Sequence, residues 1–369
     1  MKPKTEIARV IRLLALALIA AGCADDRAAE PTAAAAEPAT APARTVSIMT
    51  FNVLNLFDNV DAPGKDDKEY LPLADKQHPD HIAACNEIER ESWRKGCLTL
   101  DWSDAVIEHK LETIAAVIRT VDDGRGPDII AFQEVENASM LDQLSYAYLL
   151  DLNYGPAILI EGQDARGVDV GFLSRLPATG QPVLHEIDFP DHSDRAGDTR
   201  GILEATFMLP DGAELTGFAV HFPAPYHPPE MRVVAYERLN ELRDRLPDDR
   251  YAFAAGDFNT TSTEMRDTGV VERLVKPHWV VAHEFCRDCP GTYYYAPDDN
   301  WSFLDMILFA PARGEKTTWR LRTESVRLVT DHPAQLTPAG TPLRYDAATG
   351  RGVSDHLPLL IELESTRKQ

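Results

Sequence analysis

Six apolar segments of this chain run into, or start from, residues that bind metals or phosphates. Asn52 ends TVSIMTFN, Glu134 follows DIIAFQ, His221 closes ELTGFAV, and Asp257 and Asn259 follow YAFAAG. Asp305 opens DMILF, and Asp355-His356 lead into LPLLIEL. Chance puts one or two acids at strand ends, but six such ends constrain the chain to a sheet-built fold with polar groups at strand edges. The stretch from Tyr251 to Glu264 shows both sides of the argument. Gly256 permits close backbone approach, and Asp257 and Asn259 point the same way if the chain stays extended, which suits a metal or phosphate site. The same residues also read as an Asx turn followed by a Thr or Ser helix cap.

Between these ends the pattern alternates between strand and helix. Thr45 to Asn52 is β-branched and alternating, so it is a first strand. Residues 58–104 form a long polar insert; its DNVDAPGKDDKEYLP acids lack EF-hand spacing and read mainly as a solvated loop. Leu111, Ile114, Ala115 and Ile118 fall on one helical face within 108–121, and 128–132 is a short buried strand. A helix over 138–150 and strands near 157–160, 168–173 and 182–187 follow. Strands 201–209 and 214–220 are joined by Pro210-Asp211-Gly212, a tight-turn sequence. Pro228-Pro229 starts a helix with a stripe of Met231, Ala235, Leu239, Leu242 and Leu246, which Pro247 stops. Later strands are expected at 303–309, 325–329 and 357–363. Intermixed helices and strands, several of them hairpin-paired, imply one mixed α/β domain with two layers of sheet.

The first 22 residues have the form of an export signal. Lys2, Lys4, Arg9 and Arg12 precede LLALALIAA, too short an apolar run to span a bilayer comfortably. Gly22-Cys23 resembles a lipobox, which implies cleavage before Cys23 and lipidation of it; an ordinary signal peptide cut near Ala21 or Ala24 is the alternative. Residues 23–44, almost all Ala, Pro, Glu, Thr and Asp, are expected to form a tether. The expectation is an exported, membrane-anchored lipoprotein, periplasmic or on the cell surface, without a protein partner. Loss of the signal takes the net charge from −22 to about −25, a surface that repels polyanions at long range unless a cleft or cation inverts the field locally. In an oxidising compartment the remaining cysteines are expected as Cys85–Cys97 and Cys286–Cys289. A four-cysteine zinc site competes, although only one pair has zinc spacing.

The oxygen-rich set at the segment ends suits Mg²⁺, Mn²⁺ or Ca²⁺ better than zinc. No Walker loop, GxSxG elbow or HExxH offers another mechanism. In order along residues 46–364 stand TFNVLNLFD, IIAFQEVEN, GVDVGFLSR, AVHFPAP, GDFN, WSFLDMILF and SDHLPLLIEL. This succession resembles the endonuclease/exonuclease/phosphatase superfamily, which includes DNase I-like nucleases, abasic-site endonucleases, sphingomyelinases and inositol polyphosphate 5-phosphatases. The resemblance implies a catalytic domain over 45–369 built as a four-layer α/β sandwich, two packed mixed β-sheets flanked by helices, with the site at one rim.

It also implies roles. Glu134, supported by Asn52 and with Asp355 opposite, would hold the metal, expected to be Mg²⁺. Asp257 would orient or deprotonate the attacking water, with Asn259 positioning it or binding the phosphate. His356, oriented by Asp305, would face the scissile phosphate, and His221 would donate to its oxygens. Arg166, Asp169 and Arg200 are expected either to contact substrate or to serve only locally. Of two Asp-His pairs, Asp355-His356 precedes an apolar strand whereas Asp331-His332 runs into Pro333 and a polar stretch, which favours the later pair. The implied activity is phosphoester hydrolysis, foremost a nuclease-type phosphodiesterase. Phosphomonoesterase or phospholipid and inositol head-group hydrolysis are alternatives, and a non-catalytic surface-binding lipoprotein is a third.

Overall fold

The computed structural model describes residues 44–314 and 318–365. The expected signal and Cys23 lie outside the described residues. The chain opens with β1 (Thr45–Leu56), then α1 (Pro79–Asn86), α2 (Glu91–Thr99) and α3 (Asp104–Ile118). Next come β2 (Ile129–Val135), α4 (Ala138–Gln143), β3 (Ile158–Leu159) and β4 (Asp169–Ser174). The middle of the chain supplies β5 (Ala178–His185), β6 (Ile202–Met208), β7 (Glu214–His221), α5 (Pro229–Asp244), β8 (Tyr251–Asp257) and α6 (Ser262–Thr268). The remainder holds β9 (Val280–Val281), β10 (Tyr293–Tyr295), β11 (Asn300–Ser302), β12 (Asp305–Ala310), β13 (Trp319–Leu328) and β14 (Leu359–Ser365).

Two six-stranded mixed sheets result, ordered β13-β14-β1-β2-β4-β3 and β5-β6-β7-β8-β12-β9. Each has a parallel pair near its centre, β1 with β2 and β7 with β8, bridged by α3 and α5 respectively. Alternation along the strands sorts the cores. On β1, Val46 and Ile48 face the other sheet together with Ile129 and Ile361 and share a core with its Phe253, while Met49, Phe51 and Val53 meet α3 through Leu111, Ile114 and Ile118. On β8, Phe253 and Ala255 point between the sheets, and Ala252 and Ala254 meet Met231, Ala235 and Leu239 of α5. Helix, sheet, sheet and helix therefore stack in four layers around three apolar interfaces, the arrangement that buries both faces of central strands.

The insert differs from a solvated loop. Its helices α1 and α2 are joined by the Cys85–Cys97 disulfide, and Cys286–Cys289 closes the second short loop. Tyr70 stacks on Phe57 with ring centroids 4.0 Å apart and meets Trp102 edge-on. Lys76 is buried, its Nζ donating to the Glu69 carbonyl at 2.6 Å. A disulfide and a few aromatic contacts thus fix a segment too polar to show an apolar period. β13 also starts earlier than its apolar pattern suggests, because Arg320, Arg322, Glu324 and Arg327 decorate an edge strand, where charge guards against pairing with other chains. No helix among the described residues is long and apolar enough to cross a membrane.

Candidate active site

Strand direction brings the polar ends together. Parallel strands finish on one rim, and strands antiparallel to them begin there. His221, the last residue of β7, pairs in register with Asp257 at the end of β8, and Asp257 pairs with Asp305 at the start of β12. In the other sheet, Asn52 lies opposite Gln133, and Asp355-His356 enter just before β14. At this rim two side-chain hydrogen bonds span the sheets. The Asn52 amide donates to Asp257 Oδ2 at 3.3 Å, and His356 Nδ1 bonds Asp305 Oδ2 at 2.7 Å.

Local backbone shapes aim these groups. Glu134 sits at a bulge in β2 with φ of 62°, a left-handed conformation costly for a side-chain-bearing residue. Its Oε1 accepts from the Asn52 amide at 3.2 Å and its Oε2 from the Asn55 backbone N–H at 3.0 Å. Gly256 has φ of 155°, and a Cβ there would stand 1.9 Å from the Val220 carbonyl oxygen, so only glycine permits this β7–β8 approach. The two readings of the GDFN stretch coexist. Asp257 Oδ1 accepts from the Asn259 N–H at 2.8 Å, and Thr261 caps α6 by accepting from the Glu264 N–H. Asp257 Oδ2 remains for the site, with His221 Nε2 at 3.7 Å and His356 Nε2 at 3.9 Å. The Asn259 side chain donates to the Phe222 carbonyl at 3.0 Å.

Burial makes the charges interdependent. Burial pushes the Asp257 carboxyl up to about 7; His356 opposes this, while Asp305 and Glu134 add to it. His356 is held well above the ordinary histidine range because, against its burial, Asp305 bonds it and Asp257 and Asp355 lie close. His221 goes the other way, well below the ordinary range, through burial and the nearby Arg200 guanidinium. Glu134 is lowered to about 2 against its burial, by His221 when that imidazole carries a proton and otherwise by Arg166, His356 and the Asn52 amide. The rim therefore holds an ionised Glu134, a cationic His356 and a neutral His221 around a carboxyl poised near neutrality.

The Endonuclease/Exonuclease/phosphatase family model matches residues 103–356. The chain belongs to that family. Its fold is shared by a family protein from Bacteroides thetaiotaomicron, 17% identical, with a TM-score of 0.52 over 88% of this chain and 99% of the other. D. rerio TDP2 complexed with a single-strand DNA product is 14% identical, with a TM-score of 0.53 over 86% and 98%. A mannosyl-6-phosphatase from B. thetaiotaomicron is 18% identical, with a TM-score of 0.51 over 86% and 99%. No curated protein matches the chain. Phosphoester hydrolysis is the chemistry of the family, and the rim groups are of the types it requires.

The donor set also fits a divalent cation. Asp355 Oδ1 is buried with no hydrogen-bond partner, while its Oδ2 is held by Arg344 at 2.5 Å. Asp355 and the ionised Glu134 line one cleft, of about 620 Å³, and hard carboxylate oxygens are the ligands Mg²⁺ prefers. Asn52, expected among the ligands, bonds the Leu54 N–H through its oxygen and turns its amide nitrogen to Glu134 and Asp257. The amide nitrogen thus bridges the two carboxylates. A tighter cluster of Asp257, Asp305 and His356, with ligand atoms within 4.8 Å of one another, is accounted for by the Asp305–His356 bond. His81 also approaches Cys85 and Cys97, but those sulfurs are bonded to each other.

The remaining expected residues separate. Arg166 lines the cleft and donates to Asn55 Oδ1 at 2.5 Å. Arg200 is paired with buried Asp164 at 3.1 Å and its charge lowers His221. Asp169 accepts from the Gly162 N–H at 2.9 Å and lines a separate hollow with Asp58 and Glu136. His332 serves as the cap of a short turn over Pro333–Gln335. Lys68, Tyr70, Trp93 and Arg344 line the cleft without a sequence signal, since the first three belong to the insert and Arg344 to an irregular stretch. Buried Lys110 on α3, its Nζ 4.4 Å from the Tyr345 ring, is lowered to about 7 by burial, with Glu134 and Asp355 resisting the shift.

Proposed function

We propose that this protein is a metal-dependent phosphodiesterase of nuclease type. The observation that carries the reading is the Asp257 carboxyl, buried beside two imidazoles and bonded to the Asn52 amide, which also holds Glu134 at the edge of a cleft larger than a phosphate group needs. In this reading Asp257 Oδ2 takes a proton as a water oxygen attacks phosphorus in line with the leaving oxygen. One P–O bond forms, the opposite one breaks, and the leaving oxygen draws its proton from solvent. Cationic His356 and an N–H of His221 meet the charge that grows on the non-bridging oxygens. Glu134 and Asp355 would hold the cation, with Asn52 keeping Glu134 in place; bound there, the ion polarises the phosphate and neutralises its charge. The Asp305–His356 pair keeps the imidazole oriented and charged.

A monoesterase would use the same rim, and the shared fold of a mannosyl-6-phosphatase and a protein bound to a DNA product does not choose between them. Room in the cleft beside Glu134 and Asp355 for groups on both sides of phosphorus favours a diester. The test offers the protein and its Asp257→Ala variant a chromogenic diester, a chromogenic monoester, DNA, RNA and sphingomyelin, with Mg²⁺, Mn²⁺, Ca²⁺ or EDTA. Metal-dependent turnover of diesters alone, lost in the variant, is expected. Monoester turnover alone overturns it, and no turnover favours a binding protein. Export with lipid on Cys23 belongs to the same reading, supported by two disulfides that suit an oxidising compartment. Failure of Cys23→Ser to abolish labelled-palmitate incorporation would refute the lipidation.

A further inference from the structure

The insert is one wall of the catalytic cleft. Its Lys68, Tyr70 and Trp93 line, together with Glu134, Asp355 and Arg166, a space of about 620 Å³. That wall is fixed in place. The Cys85–Cys97 bridge ties its two helices, Tyr70 is stacked on Phe57, and the Trp102 indole N–H donates to the Phe57 carbonyl at 3.0 Å. Trp93 is the large side chain that this wall leaves open. It is 54% exposed, and the Arg90 guanidinium lies over its ring 4.7 Å from the centroid. The insert up to residue 102 also lies outside the stretch matched by the family model.

Size and charge limit what can enter. A cleft of this volume falls in the range of pockets that enclose small ligands. A net charge of −22 repels a long polyanion, whereas the cleft sets Lys68, Arg166 and Arg344 among Asp66, Glu69, Glu134 and Asp355, a mixed lining suited to a short phosphoester rather than a long anionic chain. An exposed indole beside a phosphate-handling rim offers a planar surface on which a base stacks without sequence preference.

We propose that Trp93 stacks on the nucleobase next to the scissile phosphate, so that the enzyme takes single-stranded or terminal nucleotide units rather than paired duplex. This rests on the phosphodiesterase reading. The test compares wild type, Trp93→Ala and Trp93→Phe on thymidine 5′-(4-nitrophenyl) phosphate and on methyl 4-nitrophenyl phosphate, which share a leaving group and differ in the base. Trp93→Ala should raise KM for the thymidine ester about 10- to 100-fold, at least tenfold more than for the methyl ester, and Trp93→Phe should recover most of it. Wild type should cut a linear single strand faster than covalently closed duplex. Equal losses on the two esters, or closed duplex cut as fast as single strand, would overturn the proposal. Quenching of tryptophan fluorescence by thymidine 3′,5′-bisphosphate separates the two claims: quenching lost in Trp93→Phe, with no ester hydrolysed, upholds the stacking and fails the phosphodiesterase reading. Absence of quenching in wild type fails the stacking, whatever is hydrolysed.

Discussion

Replacing Asp305 by asparagine would keep the shape of the His356 partner and remove its charge. The two groups lie 2.7 Å apart and both are buried, so little solvent screens them. At an effective dielectric of 20, opposite charges ~4 Å apart attract by about 4 kcal/mol, which sets a ceiling. Hydrogen bonds to charged groups are worth ~1.5–3 kcal/mol, and a factor of ten in rate corresponds to about 1.36 kcal/mol. If that interaction supports the transition state, kcat should fall about 10- to 150-fold while KM changes little. The pH profile gives a second readout. Asp305 holds His356 well above its ordinary range against burial, so without it the imidazole loses its proton at lower pH. The variant's rate should then fall on the alkaline side, where wild type stays level. Steady-state kinetics on a chromogenic diester from pH 5 to 10 with Mg²⁺, together with NMR titration of the imidazole, would measure both. Unchanged kcat with an unchanged alkaline limb would refute a catalytic role for the pair.

The paired variants His356→Ala and His332→Ala should separate completely: the first abolishes diester hydrolysis, while the second, which removes only a turn cap, stays within about twofold of wild type. Equal losses would reassign the site. Asp257, raised to about 7 by burial, gains a proton as pH falls through that value and then cannot accept one from water. The rate should drop about tenfold per unit below it, and a rate that is flat down to pH 5 would rule Asp257 out as the base. Gly256→Ala would drive a Cβ to within 1.9 Å of the Val220 carbonyl oxygen, so calorimetry should find the melting temperature lowered by roughly 5 °C or more, from a cost of about 3 kcal/mol. Cys85→Ser with Cys97→Ser should raise KM for a nucleotide diester while circular dichroism of the sheets is retained, because the bridge holds the insert and not the sandwich. An unchanged KM would show that the bridge does not hold the cleft wall.

How much of this was legible follows from what makes each residue visible. The strands ending at Asn52, Glu134, His221 and Asp257 announce themselves because their apolar runs are central and buried on both faces, and parallel strands must finish on the same rim. Asp257 supported two readings because it has two oxygens, one in the turn and the other facing the site. The amide of Asn52 shows where sequence stops: residue type offers an oxygen, and only the fold directs that oxygen to the Leu54 N–H. Asp169 opens a strand near the site, but its Oδ1 accepts from the Gly162 N–H and its side chain lines a separate hollow. Lys68, Trp93 and Arg344 had no periodic pattern to mark them, since they reach the cleft through an insert held by a disulfide and an irregular segment. β13 was partly hidden by the charges of an edge strand.

The two bonds that cross between the sheets at the active-site rim have a consequence for how the molecule fails. Asn52 and His356 belong to one sheet and its approach, Asp257 and Asp305 to the other, and the four meet only if the apolar layer between the sheets keeps its spacing. A slip of an ångström there leaves each sheet's own ladder intact and pulls the reacting groups out of reach. Hydrolysis is then a finer gauge of inter-sheet packing than any spectroscopic measure of secondary structure. Core variants such as Phe253→Leu or Ile361→Val should lose turnover in urea before they lose ellipticity, and their inactivation curves would map which side chains hold the two halves in register.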